Sequence, residues 1–118
     1  MLDKKIEKQK APSEDAEQIT FLNWFKKEYP NVLIFHIPNG GFRHKTTAMQ
    51  LKLLGVVSGI PDLFIPEFNL WIEMKRTKGS VTSEKQKEII DYLNNVNYTA
   101  IVCKGHKEAI KAVEDNVT

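Results

Sequence analysis

The order of apolar and polar positions divides the chain into short helices and strands. Ser13 is a suitable N-cap and acidic residues follow it, so a helix is predicted from there to about Tyr29, where Pro30 stops it. Residues 32–37 are mainly β-branched and aromatic, which predicts a short buried strand. The later elements are predicted as a short helix from Thr46 or Thr47 to Leu54, strands at 62–65 and 70–75, a helix from Ser83 to about Asn94, a strand at 98–103 and a helix at 107–113.

The predicted element order, α-β-α-β-β-α-β-α, is that of an α/β domain. One hairpin, formed by the two adjacent strands, lies inside a mixed central sheet that helices flank. A chain of 118 residues has room for one domain. We expect a flexible, lysine-rich arm over residues 1–12, which ends at Pro12, and a single domain over residues 13–118.

Composition excludes several classes of protein. The single cysteine, Cys103, excludes an internal disulfide framework and a Cys-rich zinc site, and it is expected in the core. No apolar run approaches the roughly 20 residues of a membrane span. No Gly-x-x-x-x-Gly-Lys-[Ser/Thr] loop is present. We therefore expect a cytoplasmic protein with no membrane partner and no nucleotide cofactor.

Basic residues are unevenly distributed, although the formal net charge is only +2. No acidic residue occurs between Glu28 and Asp62, and a second acid-free stretch follows Glu73. The basic residues of these two stretches are Arg43, Lys45 and Lys52, and then Lys75, Arg76 and Lys78. Such segments suit a polyanion held near a metal, and the same charges also occur on ordinary solvated surfaces.

A hairpin over residues 60–75 would place two carboxylates side by side. If the chain reverses at Glu67 and Phe68, Asp62 lies opposite Glu73, with Cβ atoms about 5 Å apart on one face of the sheet. Lys75 follows Glu73 on that face, because side chains alternate along a strand. If Lys75 is the only group that compensates the two carboxylates, this is an ordinary charge-paired sheet face. The alternative is a divalent cation, which would neutralise both carboxylates.

This arrangement of side chains is suited to phosphodiester hydrolysis. A cation held by Asp62 and Glu73 would polarise the phosphodiester and lower the pKa of a bound water. Lys75 would orient or deprotonate that water, or stabilise developing negative charge. His36 is expected to be a strand-end residue, because no second His or Cys stands at metal-ligand spacing.

Pro61-Asp62 followed by Glu73-Met74-Lys75 reads as PD-x10-ExK, and so resembles the PD-(D/E)xK nuclease superfamily. The sequence is also similar to the virus-type replication–repair nuclease (VRR-NUC) family in its stand-alone form. The likeness covers roughly residues 13–114 and lies in Glu17-Gln18, Pro38-Asn39-Gly40-Gly41 with Arg43, Gly59-Ile60-Pro61-Asp62-Leu63, Trp71-Ile72-Glu73-Met74-Lys75, and Ser83 with Gln86. It implies a restriction-endonuclease-like PD-(D/E)xK core.

The resemblance also implies which residues bind a metal. Asp62, Glu73 and the Met74 carbonyl would hold Mg²⁺, for which Mn²⁺ would substitute. Glu17 would complete the metal shell from the first helix. Without the resemblance, Glu17 is simply a favourable charge in the first helical turn.

Two further residues are implied to act in catalysis. Lys75 matches the catalytic lysine of the motif. Gln86 would hydrogen-bond the attacking water or Lys75, and it also fits a Ser-x-x-Gln capping box with Ser83, so both roles are compatible.

The loop after the first strand is a candidate for contact with DNA. Its glycines allow close approach to a phosphate backbone, and cations follow them at once. The candidate DNA-binding residues are Asn39, Gly40, Gly41, Arg43 and Lys45 in this loop, with Arg76 and Lys78 after the catalytic strand. An exposed loop without a ligand is the alternative interpretation.

The resemblance implies a Mg²⁺- or Mn²⁺-dependent endodeoxyribonuclease. Stand-alone members imply a homodimer that cuts four-way (Holliday) junctions, with a role in DNA repair in a bacterial cell or a phage-infected host. Two alternatives stay open: a nicking, flap or restriction-like nuclease on duplex DNA, and a non-catalytic nucleic-acid-binding module. RNA is also an open alternative as the substrate.

Overall fold

The computed structural model describes residues 11–38 and 47–117. Within these ranges the helices are α1 (Glu14–Glu28), α2 (Ala48–Leu53), α3 (Glu84–Asn95) and α4 (His106–Asn116). The strands are β1 (Phe35–His36), β2 (Leu63–Ile65), β3 (Leu70–Lys75) and β4 (Thr99–Lys104). Along the described residues the predicted order α-β-α-β-β-α-β-α is therefore confirmed. No helix in this part of the chain is long and apolar enough to span a membrane.

The described strands form one mixed sheet in the order β1-β2-β3-β4. β1, β2 and β3 are antiparallel neighbours, whereas β4 pairs parallel with β3. Parallel neighbours require a crossover connection, which α3 supplies. The expected fold class, an α/β domain with a mixed central sheet and flanking helices, is confirmed.

Hydrogen bonds from side chains explain where the helices begin. The Ser13 hydroxyl accepts the Ala16 N–H at 3.1 Å, so α1 starts after the predicted N-cap. α3 starts with the predicted capping box, in which Ser83 Oγ accepts the Gln86 N–H and Gln86 Oε1 accepts the Ser83 N–H. Thr47 begins α2 with the same kind of box.

The β2–β3 hairpin has the register that the sequence predicts. Phe64 pairs with Trp71, and the residue numbers of each pair in this hairpin have the same sum. A short 3-10 turn that ends at Phe68 joins the two strands. Extending the register by two residues from Phe64 places Asp62 beside Glu73 on one face of the sheet.

The two faces of the sheet have different surroundings. α1 and α4 cover one face, where their apolar side chains pack against alternate residues of β2 and β3. The residues buried in this core include Phe21, Phe25, Leu63, Ile65, Leu70, Ile72, Met74, Cys103, Ala109 and Val113, so the prediction of a core cysteine is confirmed. Each large apolar side chain buried there stabilises the fold by about 1.5–3 kcal/mol. Glu73 and Lys75 lie on the opposite face, toward the start of α3.

β1 is shorter and more exposed than the sequence predicts. Residues 32–37 form a strand of only two residues, and both are exposed. Leu33, just before the strand, is 62% exposed. β1 is an edge strand whose one neighbour among the described strands is β2. The prediction of a buried strand was wrong, because an apolar run does not by itself distinguish an edge strand from a central one.

Candidate active site

The hairpin brings the two motif acids together beneath α3. Asp62 Oδ2 accepts the Met74 N–H at 2.7 Å, which fixes the Asp62 side chain against β3. Glu73, the residue before Met74, is only 2% exposed. The predicted pairing of two carboxyl groups across the hairpin is therefore present in the structure.

Gln86 connects Glu73 to Lys75. Its Nε2 donates to Glu73 Oε2 at 2.9 Å, and its Oε1 accepts a hydrogen bond from Lys75 Nζ at 3.0 Å. Lys75 Nζ also lies 3.6 Å from Glu73 Oε2, and Lys75 is 6% exposed. The capping box at Ser83 holds the Gln86 side chain in place, so one glutamine both starts α3 and positions the acid and the amine.

Gly59 allows the segment before β2 to approach the start of α3. Its φ is +89°, and a Cβ atom at this position would lie 2.8 Å from the Lys85 carbonyl oxygen. A side chain would therefore be strained by the backbone angle and would also collide with backbone atoms. Because Asp62 follows Gly59 closely and Gln86 follows Lys85, this contact holds together the two segments that carry the site.

Two contacts from the end of β1 and the residue after it support the backbone of Asp62. The Asp62 carbonyl oxygen accepts the Ile37 N–H at 2.8 Å, and His36 Nδ1 lies 3.0 Å from the same oxygen. His36 thus occupies the predicted strand-end position and contacts the backbone of a motif residue.

Burial raises the pKa of both motif acids, and the neighbouring Asp62 carboxyl raises that of Glu73 further. Burial, together with the nearby Asp62 carboxyl, raises the pKa of Glu73 to about 8 against the opposing effect of the Lys75 ammonium. Burial also raises the pKa of Asp62. With its pKa raised to about 8, Glu73 keeps a proton near neutral pH when no cation neutralises the pair.

The donor set at this position fits a hard divalent cation. Glu73 Oε1 is buried and accepts no hydrogen bond from a donor among the described residues. An oxygen without a donor, beside a second carboxyl, is the kind of ligand that Mg²⁺ or Mn²⁺ takes in proteins. Asp62 and Glu73 are therefore able to hold a cation.

A cavity of about 1010 Å³ opens next to these residues. Asp62, Glu73 and Gln86 line one side, and residues of α2 line the other. Lys52 from α2 and Lys85 from α3 are also among the residues that line the cavity. Lys52 belongs to the acid-free stretch between Glu28 and Asp62, so the sequence indicated it as a candidate basic residue. Nothing in the sequence distinguished Lys85 from the other lysines of α3.

Glu17 does not lie in this cavity. Its Oε1 accepts two hydrogen bonds of 2.7 Å, from the His106 backbone N–H and from His106 Nδ1, and Glu17 is 3% exposed. Burial acts to raise the pKa of Glu17, but the contacts with His106 outweigh it and lower the pKa. Among the described residues, no group of three or more His, Cys, Asp or Glu side chains is assembled to hold a metal. The structure thus does not bring Glu17 to the two motif acids.

Glu14, one helical turn earlier, does line the cavity with Asp62 and Glu73. The sequence contains the signal for this residue, because Glu14 and Glu17 stand three residues apart on one face of α1. The resemblance to the nuclease family pointed to Glu17. Only the tertiary contacts show which of the two neighbouring acids, Glu14 or Glu17, lines the cavity.

The predicted DNA-binding residues fall into two groups. Asn39, Gly40, Gly41, Arg43 and Lys45 lie outside the described residues. After β3, Lys78 is exposed, and Arg76 is partly buried with its Nε lacking a hydrogen-bond partner among the described residues. Both basic residues follow directly from the strand that carries Glu73.

Fold and site together define a class of protein. An α/β sheet with Pro-Asp at one strand and Glu-x-Lys on the next, joined by a glutamine from the following helix, is the arrangement of a PD-(D/E)xK nuclease. The profile of the VRR-NUC domain family matches residues 7–107. The chain belongs to the VRR-NUC family, which implies a nuclease of the PD-(D/E)xK type.

A solved structure supports this assignment. It is described as a VRR_NUC domain protein and is 30% identical in sequence, and the match covers 92% of this chain and 90% of that chain with a TM-score of 0.75. Among proteins with curated descriptions, none matches the sequence.

Proposed function

We propose that this chain is a Mg²⁺- or Mn²⁺-dependent endodeoxyribonuclease that hydrolyses phosphodiester bonds in branched DNA. The observation that carries the proposal is the buried Glu73 Oε1, which has no donor among the described residues. Glu73 lines the cavity together with Asp62 and Gln86, and Lys75 Nζ is hydrogen-bonded to Gln86. The basic residues around the cavity suit a phosphate backbone.

Asp62, Glu73 and the Met74 carbonyl are the proposed cation ligands. For a further contact with the cation, Glu14 is a better candidate than Glu17. Glu14 lines the cavity, whereas the carboxylate of Glu17 is hydrogen-bonded to His106. When bound, the cation would supply positive charge that neutralises the acids and polarises the phosphodiester.

Lys75 is proposed either to orient or deprotonate the attacking water or to stabilise the negative charge that develops on the phosphate. Gln86 Oε1 accepts a hydrogen bond from Lys75 Nζ at 3.0 Å, which holds the amine beside Glu73, a residue that lines the cavity. A lysine ammonium there stabilises negative charge on the phosphate oxygens while water bonds to phosphorus and one P–O ester bond breaks.

Removing the amine of Lys75 tests this proposal. Lys75→Ala is expected to lower the rate of Mg²⁺-dependent DNA cleavage by at least about 100-fold while leaving DNA binding largely intact. Lys87→Ala is the matched control, since Lys87 is an exposed lysine on α3 that pairs with Glu84 and should not affect cleavage. Fluorescence anisotropy with labelled DNA measures binding separately from cleavage. Undiminished cutting by Lys75→Ala would rule out the proposed role.

The choice of DNA structure distinguishes the remaining alternatives. We propose that a homodimer acts on four-way junctions, because two sites would address two strands of one branch point. A junction should then be cut faster than its component duplexes, a flap or a single strand. Faster cutting of flaps or of linear duplex would favour the nicking or restriction-like alternative. Binding that withstands EDTA, without cleavage at any Mg²⁺ or Mn²⁺ concentration, would favour the non-catalytic module.

A further inference from the structure

Four aromatic side chains form a continuous row on the sheet face that carries the motif acids. Phe35 of β1 pairs with Phe64 of β2, and Phe64 pairs with Trp71 of β3. The Phe64 and Trp71 rings are stacked with their centroids 4.2 Å apart, and the Phe35 ring lies edge-on to Phe64 at 5.9 Å. The ring of Tyr98, the residue before β4, lies 5.9 Å from that of Phe64 and 6.2 Å from that of Trp71. These four residues are referred to below as the aromatic row.

The aromatic row is partly open to solvent. Phe35 is 42% exposed and Tyr98 is 37% exposed, while Phe64 and Trp71 are partly buried. No described helix packs extensively against β1 or β2, so this part of the sheet face is left uncovered by them. Single exposed apolar residues are common on proteins, whereas a contiguous exposed aromatic surface marks a place where something binds.

The aromatic row lies directly beside the motif acids. The pair formed by Phe64 and Trp71 comes one step before the pair of motif acids on the same face. Successive pairs on one face are two residues apart along a strand, which is roughly 7 Å. A phosphate and the base of its own nucleotide are separated by a similar distance. None of the four aromatic residues lines the cavity itself, so the row is a separate surface within one nucleotide's reach of the acids.

The charges near the aromatic row favour a polyanionic partner. Its two most exposed members, Phe35 and Tyr98, lie in stretches of the sequence without acidic residues, at 29–61 and 92–107. The basic residues of these two stretches are Arg43, Lys45, Lys52, Lys104 and Lys107. Proteins that bind single-stranded nucleic acid combine aromatic rings, which stack on bases, with cations that hold the phosphates. This combination favours nucleic acid over an apolar protein surface as the partner of the row.

We propose that the aromatic row stacks against an unpaired DNA base next to the phosphate that is cleaved. Every base has an aromatic face, so this contact accepts any sequence. Taking a base out of its stack costs free energy, and stacking on the row offsets part of that cost. The row therefore selects DNA with unpaired bases, such as those at a branch point, over continuous duplex. Its place beside the cleaved phosphate rests on the proposed nuclease function, whereas the binding of a base does not.

The affinities for a single strand with bases and one without them test the stacking. The probes are fluorescein-labelled oligothymidylate and a strand of the same length whose central nucleotides are abasic, so both carry the same phosphate charge. Fluorescence anisotropy in EDTA measures binding without the proposed cleavage. The unmodified chain is expected to bind the strand with bases at least about fivefold more tightly. Equal affinities would overturn the proposal.

Two substitutions test whether the base binds at the aromatic row. Phe35→Leu and Tyr98→Leu each remove an exposed ring but keep an apolar side chain, and each is expected to lower the preference for bases at least about threefold. Tyr92→Leu is the matched control, because Tyr92 is an aromatic residue 61% exposed on α3 that lies outside the row. Circular dichroism shows which variants are folded, and either row variant suffices for the test. An unchanged preference in a folded row variant, or an equal loss in Tyr92→Leu, would overturn the proposal.

Cleavage of a modified strand tests the position of the base. An abasic nucleotide placed next to the cleaved bond is expected to slow cleavage by the unmodified chain at least about fivefold, and to slow cleavage by Phe35→Leu much less. Equal slowing of the two proteins would overturn the proposal.

The same measurements separate the aromatic row from the nuclease proposal and from a protein contact. A preference for bases in a chain that cleaves no DNA would support base binding at the row and refute the nuclease. Metal-dependent cleavage together with equal affinities for the two strands would keep the nuclease and overturn the row. If Phe35→Leu changes the sedimentation of the protein and leaves the preference for bases intact, the row contacts protein and the proposal is overturned.

Discussion

At the scale of single residues, the site holds two carboxyl groups together although they repel each other. Glu73 is buried beside Asp62, and its Oε2 accepts a hydrogen bond from Gln86 while its Oε1 has no donor among the described residues. Lys75 compensates only part of this negative charge, at 3.6 Å from Glu73. The fold thus maintains an arrangement that costs stability until a cation or a proton joins it.

The pH dependence of stability should reveal this cost. In EDTA, Glu73 keeps a proton up to about pH 8 in the folded state, but only up to about pH 4.5 in the unfolded state. The folded state binds the extra proton between these values, so the free energy of unfolding falls as pH rises from about 4.5 and reaches its full loss above about 8. Glu73→Gln removes the titrating carboxyl and with it this loss of stability. At pH 8.5 the variant should therefore have a Tm about 5 °C or more above that of the unmodified protein.

Glu67→Gln provides the control for this experiment, since Glu67 is an exposed glutamate in the turn between β2 and β3. Its Tm should follow that of the unmodified protein across the pH range. Saturating Mg²⁺ should raise the Tm of the unmodified protein at pH 8.5 and leave that of Glu73→Gln nearly unchanged. Parallel Tm curves for the unmodified protein and Glu73→Gln in EDTA would show that Glu73 carries no such cost.

Two acids of α1 should respond to mutation in opposite ways. Glu17→Ala removes the acceptor of both His106 hydrogen bonds and should lower stability by about 1–3 kcal/mol, with Mn²⁺ affinity unchanged. Glu14→Ala should cost little stability and weaken Mn²⁺ binding several-fold. Urea unfolding and isothermal titration calorimetry measure the two quantities. Loss of Mn²⁺ binding in a folded Glu17→Ala protein would return Glu17 to the metal site.

At the scale of elements, strand register and helix caps place the catalytic groups. The β2–β3 register sets Asp62 beside Glu73, and the cap of α3 sets Gln86 between Glu73 and Lys75. Both devices are local in sequence. The hairpin and the start of α3 thus carry the four side chains, and the contact of Gly59 with Lys85 holds these two segments together.

The Ser83 cap should matter to both stability and catalysis. Ser83→Ala removes the acceptor of the Gln86 N–H and should cost about 1 kcal/mol. Ser13→Ala removes the equivalent bond in α1 and should cost a similar amount. Of the two, Ser83→Ala alone should lower kcat for DNA cleavage, because the first turn of α3, which carries Gln86 into the site, loses a hydrogen bond that anchors it. Equal kcat for the two variants would contradict a positioning role of the cap.

These local devices also explain how much the sequence predicted. The hairpin register and the Ser83–Gln86 capping box depend on residues at fixed spacing, and the sequence predicted both. The contact between Gln86 and Lys75 was one of two alternatives that the family resemblance implied. The exposure of β1 and the partner of Glu17 depend on neighbours distant in the chain: Glu17 contacts His106, which lies 89 residues away. No local pattern contains that information. The prediction of a buried β1 was therefore wrong, and the metal-binding role that the resemblance implied for Glu17 stays a prediction.

At the scale of the whole molecule, the apolar core and the catalytic side chains lie on opposite faces of the sheet. α1 and α4 cover an apolar face built from alternate residues of β2 and β3, and the catalytic side chains lie on the other face near α3. Substitutions in the site therefore leave the core intact. Catalytic variants are accordingly expected to fold, which makes loss of activity interpretable.

Cys103 offers a probe of global unfolding. It is buried in the core, and burial, followed by the nearby Glu108 carboxylate, raises the pKa of its thiol to about 12. A buried thiol with so little thiolate should not react with DTNB at pH 8 in the folded protein. It should react fully after unfolding in urea, with a rate that follows the unfolded fraction. Rapid reaction of the folded protein would contradict the core position of Cys103.

The central claim is that Asp62, Glu73 and Lys75 form one cation-dependent centre for phosphodiester hydrolysis. The most direct measurement is cleavage of a four-way DNA junction as a function of Mg²⁺ concentration, with Asp62→Asn assayed beside the unmodified chain. The account predicts that cleavage rises with Mg²⁺, disappears in EDTA and is absent from Asp62→Asn. Cleavage that survives EDTA, or that Asp62→Asn performs at the unmodified rate, would contradict it.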